Sequence, residues 1–531
     1  MMINWKKATT GTLIAVMALG IFGCSPKNSS SNKIPEGTLV SETPITFSML
    51  YADNATYPLK KDWLVLQEIE KRTNVKLDLQ VVPDSDYQEK RKILMSSGSM
   101  PDIITHTYAE QASEFATNNV LLPISDYMNQ MPNLTERISR WNLQSEWEQL
   151  KELDGKVYVA QGFYEKPEQT IQLGIRSDLL TEQNISTPES YEQLYEAMKK
   201  IKEKHPETLG LSDRAKGDLI LCMISRAFNT NAGYSLPNGY TYDYSTQSWV
   251  FAPTSEQYKE MLVFLNKLYN EGLLDPEAFT QDTNQFKQKL FNGKAVAAGL
   301  WLGEETNFTT EIKGASGNQA AVFEPILPLA GPRGTRATKS ASRLNRGFTI
   351  SNKVADKPYR DQLLKFVDWF YFSDEGITLT SWGAEGITYQ MNNGKKELLP
   401  EISTARNPGG TKLMTKDFGT NTNSFQIVVD PEYRDFVKTD SRLAFDKALI
   451  EGNMIPKDDP ILKFTSDELE QQKLLASTLK DYYKEMTSKF IFGQASIETD
   501  WDKFVKECSN KKVDELMKLV NTAWVRQNQE K

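Results

Sequence analysis

The chain has 531 residues, 39% hydrophobic and 25% charged, with a formal net charge of -8. An acidic chain without a basic stripe argues against a nucleic-acid partner, and this length allows two or three lobes. Three cysteines in a chain of this size exclude a disulfide-built scaffold.

The N terminus carries Lys6-Lys7, an apolar run from Gly11 to Phe22, and then Ile21-Phe22-Gly23-Cys24. A basic head, a short apolar segment and a small residue before the break describe a secretory signal peptide over residues 1–23. Cys24 at the cut resembles the lipobox of bacterial lipoproteins, whose thiol takes a diacylglyceryl group and whose new N terminus is acylated. Ile21 and Gly23 fit that pattern, whereas Phe22 is bulkier than usual. An ordinary cleaved signal with an incidental cysteine is the alternative. Buried acyl chains at about 0.8 kcal/mol per CH2 would hold the protein on the outer face of a membrane. Residues 24–42, polar from Ser25 to Asn32, would be its disordered tether. No second apolar run is long enough to span a bilayer.

Ile45 to Tyr51 reads as a strand. Leu59, Trp63, Leu66 and Ile69 then recur at helical spacing, and Val75, Leu77, Leu79 and Val81 alternate with polar residues as a second strand. A helix from about Ser85 to Ser97 stops at Gly98, and Pro101 to Thr105 is a third strand. This is a parallel α/β sheet with helices on both faces. Strand-like segments follow at 155–160, 172–176, 295–302 and 346–350, and helical stripes at 190–204 and 255–271. The Gly/Pro/Arg-rich stretch to Arg336 marks a crossover or an exposed loop, and the chain beyond Pro358 is mostly helical. The expected organisation is a first lobe of residues 43–155 plus about 294–325, and a second of 156–293 plus about 340–531. A ligand would sit between them.

Phosphate-binding loops, the G-x-S-x-G elbow and zinc-spaced Cys/His clusters are missing from the sequence. His106 follows the third strand and could line a cleft; His205 precedes Pro206 at a helix end. Cys222 and Cys508 read as small buried hydrophobes, with a disulfide between them left open. Carboxylates are plentiful after strand-like segments, at Asp53, Asp102, Glu304, Glu305 and Glu385. They bind hydroxyls, cap helices or, as a pair, hydrolyse glycosides. The loops also set aromatics beside polar groups: Tyr51, Asp53 and Asn54; Thr105 and Tyr108; Trp301; Trp382, Glu385 and Tyr389. Rings that stack on C–H faces beside groups that bind hydroxyls suit a sugar. Trp63 and Trp369 lie in helical stripes and read as core, whereas Trp301 and Trp382, flanked by glycines, fit core and platform equally. An anionic sugar would call on Arg176, Arg343 or Arg346.

Several segments together resemble the family 1 extracellular solute-binding proteins, in particular the large Gram-positive lipoproteins that serve sugar or oligosaccharide importers. They are Ile69 to Val75, Ser96 to Ile103, Asp154 to Tyr158, Ile175 to Asp178, Leu268 to Pro276, Asp374 to Gly376, Gly383 to Gly386, and Phe492-Gly493 with Trp501. The resemblance implies a two-lobed type II periplasmic-binding-protein fold, α/β with a helix-rich C-terminal part. It also implies capture of a carbohydrate without chemistry and delivery to an ABC permease whose separate ATPase drives import. A monomer without a cofactor is expected. Some relatives carry an acidic calcium loop near the equivalent of Leu209. Residues His205 to Asp213 lack the alternating acids of such a loop, so no metal is expected. The runner-up is a cell-surface glycoside hydrolase with paired cleft carboxylates; a third reading keeps the fold and changes the ligand to a peptide or sensory partner.

Overall fold

The computed structural model describes residues 39–529 apart from 117 and 168. The signal peptide, Cys24 and most of the expected tether lie outside the described residues. The expected tether ran to residue 42, but its last residues dock on the body. Val40 is buried and donates to the Thr73 carbonyl, and Asn74 donates to the Ser41 carbonyl.

The strands in chain order are β1 (Ile45–Asp53), β2 (Val75–Pro83), β3 (Ile103–Thr107), β4 (Ala160–Phe163), β5 (Ile171–Arg176), β6 (Gly210–Ser212), β7 (Tyr240–Asp243), β8 (Ser248–Phe251), β9 (Ala295–Trp301), β10 (Phe323–Pro325), β11 (Leu344–Ile350), β12 (Tyr389–Asn392) and β13 (Lys395–Leu398). One sheet has the order β2-β1-β3-β11-β4 and a second β10-β5-β9-β6; β7–β8 and β12–β13 are separate hairpins. In the first sheet β1 is parallel to β2 and β3, and β11 runs antiparallel to β3 and β4.

The alternation of β1 explains the layering. Phe47, Met49 and Tyr51 face a core that holds Val65 and Ile69 of helix α1 (Leu64–Thr73). Leu50 and Ala52 face a second core with Tyr87, Leu94 and Met95 of helix α2 (Asp84–Ser96). Period two in the strand thus puts one helix on each face. Trp63 and Trp369 are core residues as expected.

The expected lobe composition needs correction. Segment 294–325 supplies β9 and β10, which pair with β5 and β6 in the second sheet. The first sheet is completed instead by β4 and β11, on which helices Arg360–Phe372 and Asp374–Ser381 pack. The small apolar run at Ala295 suits either sheet; burial of both its faces between helices decides its partners. The chain passes between the sheets three times: from β4 to β5, from β10 to β11, and after Val428 into the C-terminal helices that pack around the second sheet. The first two crossings touch, Tyr164 N donating to the Arg343 carbonyl at 2.9 Å. Gly162 lets the segment before the third crossing lie on β4, because a Cβ there would meet the Ile427 carbonyl oxygen at 1.9 Å.

Cys222 and Cys508 are both buried and both free, so the pairing left open by the sequence is not made. Among the described residues no helix is long and apolar enough to cross a membrane, and no three His, Cys, Asp or Glu side chains gather as a metal site.

Candidate functional site

In open α/β sheets ligands bind beyond the carboxyl ends of the strands. Those of β1 and β3 carry the loop after Asp53 and the run His106 to Tyr108, and the start of β11 brings Arg346 beside them. In the second sheet β6 and β9 are parallel, and their carboxyl ends carry Asp213, Arg214, Trp301 and Glu304. One helix ties the two edges together. Ser466–Ile491 pairs Lys473 with Glu114 on helix α3 (Ala109–Ala116), just beyond β3, and Lys484 with Asp218, just beyond β6, at 3.3 Å. The two lysines are eleven residues apart, a rise of about 16 Å. Both carboxyl edges therefore meet the same helix.

On the first edge, Asp53 Oδ1 accepts from Leu59 N at 2.7 Å and closes the loop that presents Tyr57; Asn54 Oδ1 accepts from Thr56 N. His106 has φ 47°, and its carbonyl accepts from Arg91. Its ring stacks on Tyr87, with Nδ1 3.6 Å from Asp84. Burial first, and then the Arg346 charge, hold the His106 pKa down to about 4. The imidazole is therefore neutral at neutral pH. Burial raises the pKa of Tyr57 and Tyr108, and the Arg346 guanidinium opposes it in both. Arg346 Nε is shielded from solvent without a hydrogen-bond partner.

On the second edge, the Trp301 ring is 40% exposed and lies 6.5 Å from that of Tyr234, itself 48% exposed. Arg214 forks onto Glu304 at 3.1 and 2.5 Å. Buried Asp213 accepts from Ala215 N and Ile220 N at the start of helix Asp218–Ser225. Desolvation pushes its pKa up to about 6 against those bonds. Burial, then Asp218 and Asp213, raise the Tyr234 pKa.

The structure therefore gathers Asp53, Asn54 and Tyr108 on one edge and sets Trp301 on the other. Other expected site residues are placed elsewhere. Tyr51 and Thr105 are fully buried within β1 and β3, Tyr51 against Phe425 and Thr105 hydrogen-bonded to the Leu50 carbonyl. Asp102 precedes β3, at its amino end, and is occupied by Ser48 and Tyr359. Arg176 forks onto Asp178; because Ile171 of the same strand is paired with Trp301, Arg176 lies at the far end of β5. Trp382 is 0% exposed, donates to Asp430 and is enclosed by Tyr389, Tyr433 and Phe436. Glu385 and Tyr389 bridge each other beside the β12–β13 hairpin, where Ala384 and Leu398 pack with Leu64 at the start of α1. Tyr57 and Tyr234 were not singled out from the sequence. Tyr234 follows Gly233 in a loop, the criterion that selected Trp301; Tyr57 follows Asp53 in the loop already considered.

The family model of the bacterial extracellular solute-binding proteins matches residues 54–376. The polygalacturonan/rhamnogalacturonan-binding protein YtcQ of Bacillus subtilis (strain 168) is 25% identical, covering 93% of this chain and 94% of its own. Lipoprotein LipO of the same organism is 24% identical, covering 86% and 88%. Among solved structures, the alginate-binding protein AlgQ2 superposes with a TM-score of 0.71 at 19% identity, covering 92% of this chain and 99% of its own. The Streptococcus pneumoniae ABC-transporter substrate-binding protein FusA, in complex with kestose, gives 0.70 at 19% identity, covering 92% and 100%. With two sheets joined by three crossings and a family match over more than half its length, the chain belongs to the bacterial extracellular solute-binding proteins, which bind a solute and do no chemistry on it.

Proposed function

We propose that this chain is the lipid-anchored, monomeric carbohydrate-binding subunit of an ABC importer. It captures an oligosaccharide between its two lobes and delivers it unaltered to a membrane permease. The observation that carries this reading is the exposed Trp301–Tyr234 pair at the carboxyl edge of the second sheet, across from the polar edge of the first. Exposed rings are costly to leave in water and useful against the C–H face of a pyranose or furanose. The saccharides named for YtcQ and the kestose complex of FusA support a sugar as the solute. A relative named as a lipoprotein supports an anchor at Cys24, as does the cysteine at the signal cut.

The test is a thermal-shift and tryptophan-fluorescence screen against neutral and acidic oligosaccharides. The expected result is a raised melting temperature for at least one saccharide, with no product formed. A broad panel that never moves the melting temperature would overturn the carbohydrate reading.

A further inference from the structure

The sequence offers three arginines for an anionic sugar, and the structure separates them. Arg176 is consumed by Asp178. Arg343 donates to the Trp141 and Asn142 carbonyls and to Glu146, bracing the second crossing against the first lobe. Arg346 differs from both. It is half-buried, its Nε has no acceptor, and no carboxylate of the described residues forms an ion pair with it. Tyr57, His106 and Tyr108 feel its charge. Two acids face this cluster, Asp84 beside His106 and Tyr57, and Glu110 beside Tyr108; neither forms an ion pair with the guanidinium, whose neighbour is the neutral Tyr108 hydroxyl. Neutral His106 supplies no counter-charge. A partly desolvated guanidinium without an anion is unfavourable. A planar carboxylate satisfies it by a bidentate, charge-assisted pair.

We infer that the captured solute is an acidic oligosaccharide, one of whose uronate carboxylates docks on Arg346 between Tyr57 and Tyr108 while another ring stacks on Trp301 and Tyr234. This rests on the carbohydrate reading above and adds the charge of the ligand. A neutral sugar would leave Arg346 as it stands; a uronate completes it. Recognition is by fork geometry as well as charge, so lysine is a poor substitute.

The experiment is calorimetric titration of the full chain and of Arg346→Gln and Arg346→Lys. The probes are short oligogalacturonates, oligomannuronates, their methyl esters and neutral kestose. The expected result is that the unmodified chain prefers a free acid over its ester by about tenfold or more, and that Arg346→Gln loses this preference. Arg346→Lys should recover only part of it. Esterification removes the charge from the ligand while leaving the protein intact, so the first comparison stands even if a variant folds poorly. Equal binding of acid and ester, a preference that survives in Arg346→Gln, or binding of kestose alone would overturn the inference and leave the carbohydrate reading in place. Binding of none of these sugars would overturn the inference, and the carbohydrate reading then stands or falls by the broad saccharide panel.

Discussion

Lys473 and Lys484 lie about three turns apart on one face of a single helix and hold carboxylates on opposite lobes, Glu114 and Asp218. A third cation, Lys463, precedes that helix and meets Glu152 of the first lobe at 3.6 Å, with both side chains nearly buried. Lys473 and Lys463 thus join the lobes by charge, in addition to the three chain crossings.

Removing the exposed clasp should change geometry more than stability. Lys473→Ala should cost less than about 1 kcal/mol in urea unfolding yet enlarge the radius of gyration of the ligand-free protein in solution scattering. Lys463→Met should cost about 3 kcal/mol, because it strands a buried Glu152 carboxylate. Equal, small effects for the two would mean that Lys463 is not a buried cross-lobe contact.

The tryptophans separate binding from folding. Trp301→Ala removes an exposed platform, so saccharide affinity should fall about tenfold, near 1.4 kcal/mol, with the melting temperature nearly unchanged. Trp382→Ala empties a fully buried site and strands the Asp430 acceptor, and should cost about 3–5 kcal/mol of stability. A Trp382→Ala protein as stable as the parent would contradict the placement of that ring.

His106 should mark the pH response. Its folded pKa of about 4 lies below the ordinary value of about 6.5. Between these the unfolded chain binds the extra proton, so the contribution to stability is complete above about pH 6.5 and is lost as pH falls toward 4. Urea midpoints at pH 7 and pH 5 should show this loss, and His106→Asn should lessen it, since asparagine tolerates the positive φ. The chain has only two histidines, so the imidazole resonances can be followed directly by NMR. A normal titration of His106 near pH 6.5 would refute the burial argument.

Anchoring is tested at Cys24. Cys24→Ala should move the protein from the membrane fraction to the medium or leave it unprocessed, and metabolic labelling with palmitate should disappear. Retention of the label would place the acyl group elsewhere.

Much of the first lobe was legible in order. Period-two alternation at Val75 and helical recurrence from Trp63 to Ile69 correspond to β2 and α1, and the Ser85–Ser97 expectation to α2. Legibility failed where a loop's chemistry was read without its end of the sheet. Asp102 and Arg176 have the residue types of a sugar site, but they sit at the wrong ends of β3 and β5 and are satisfied by Ser48 and Asp178. Glycine-flanked Trp301 and Trp382 looked alike in sequence; only packing by Tyr433 and Phe436 distinguishes the second.

The sequence by itself determined the opening βαβ unit, the α/β class and the lipoprotein-like N terminus, because backbone propensity, periodicity and composition are local properties; it did not show the hairpins β7–β8 and β12–β13, and the strand expected at 155–160 starts only at Ala160. The tertiary structure decided that β11 rather than β9 completes the first sheet, and it brought Arg346 to Tyr57 and Tyr108. Strand pairing between distant segments follows from burying both faces of each sheet at once, a global condition that no short window of residues contains.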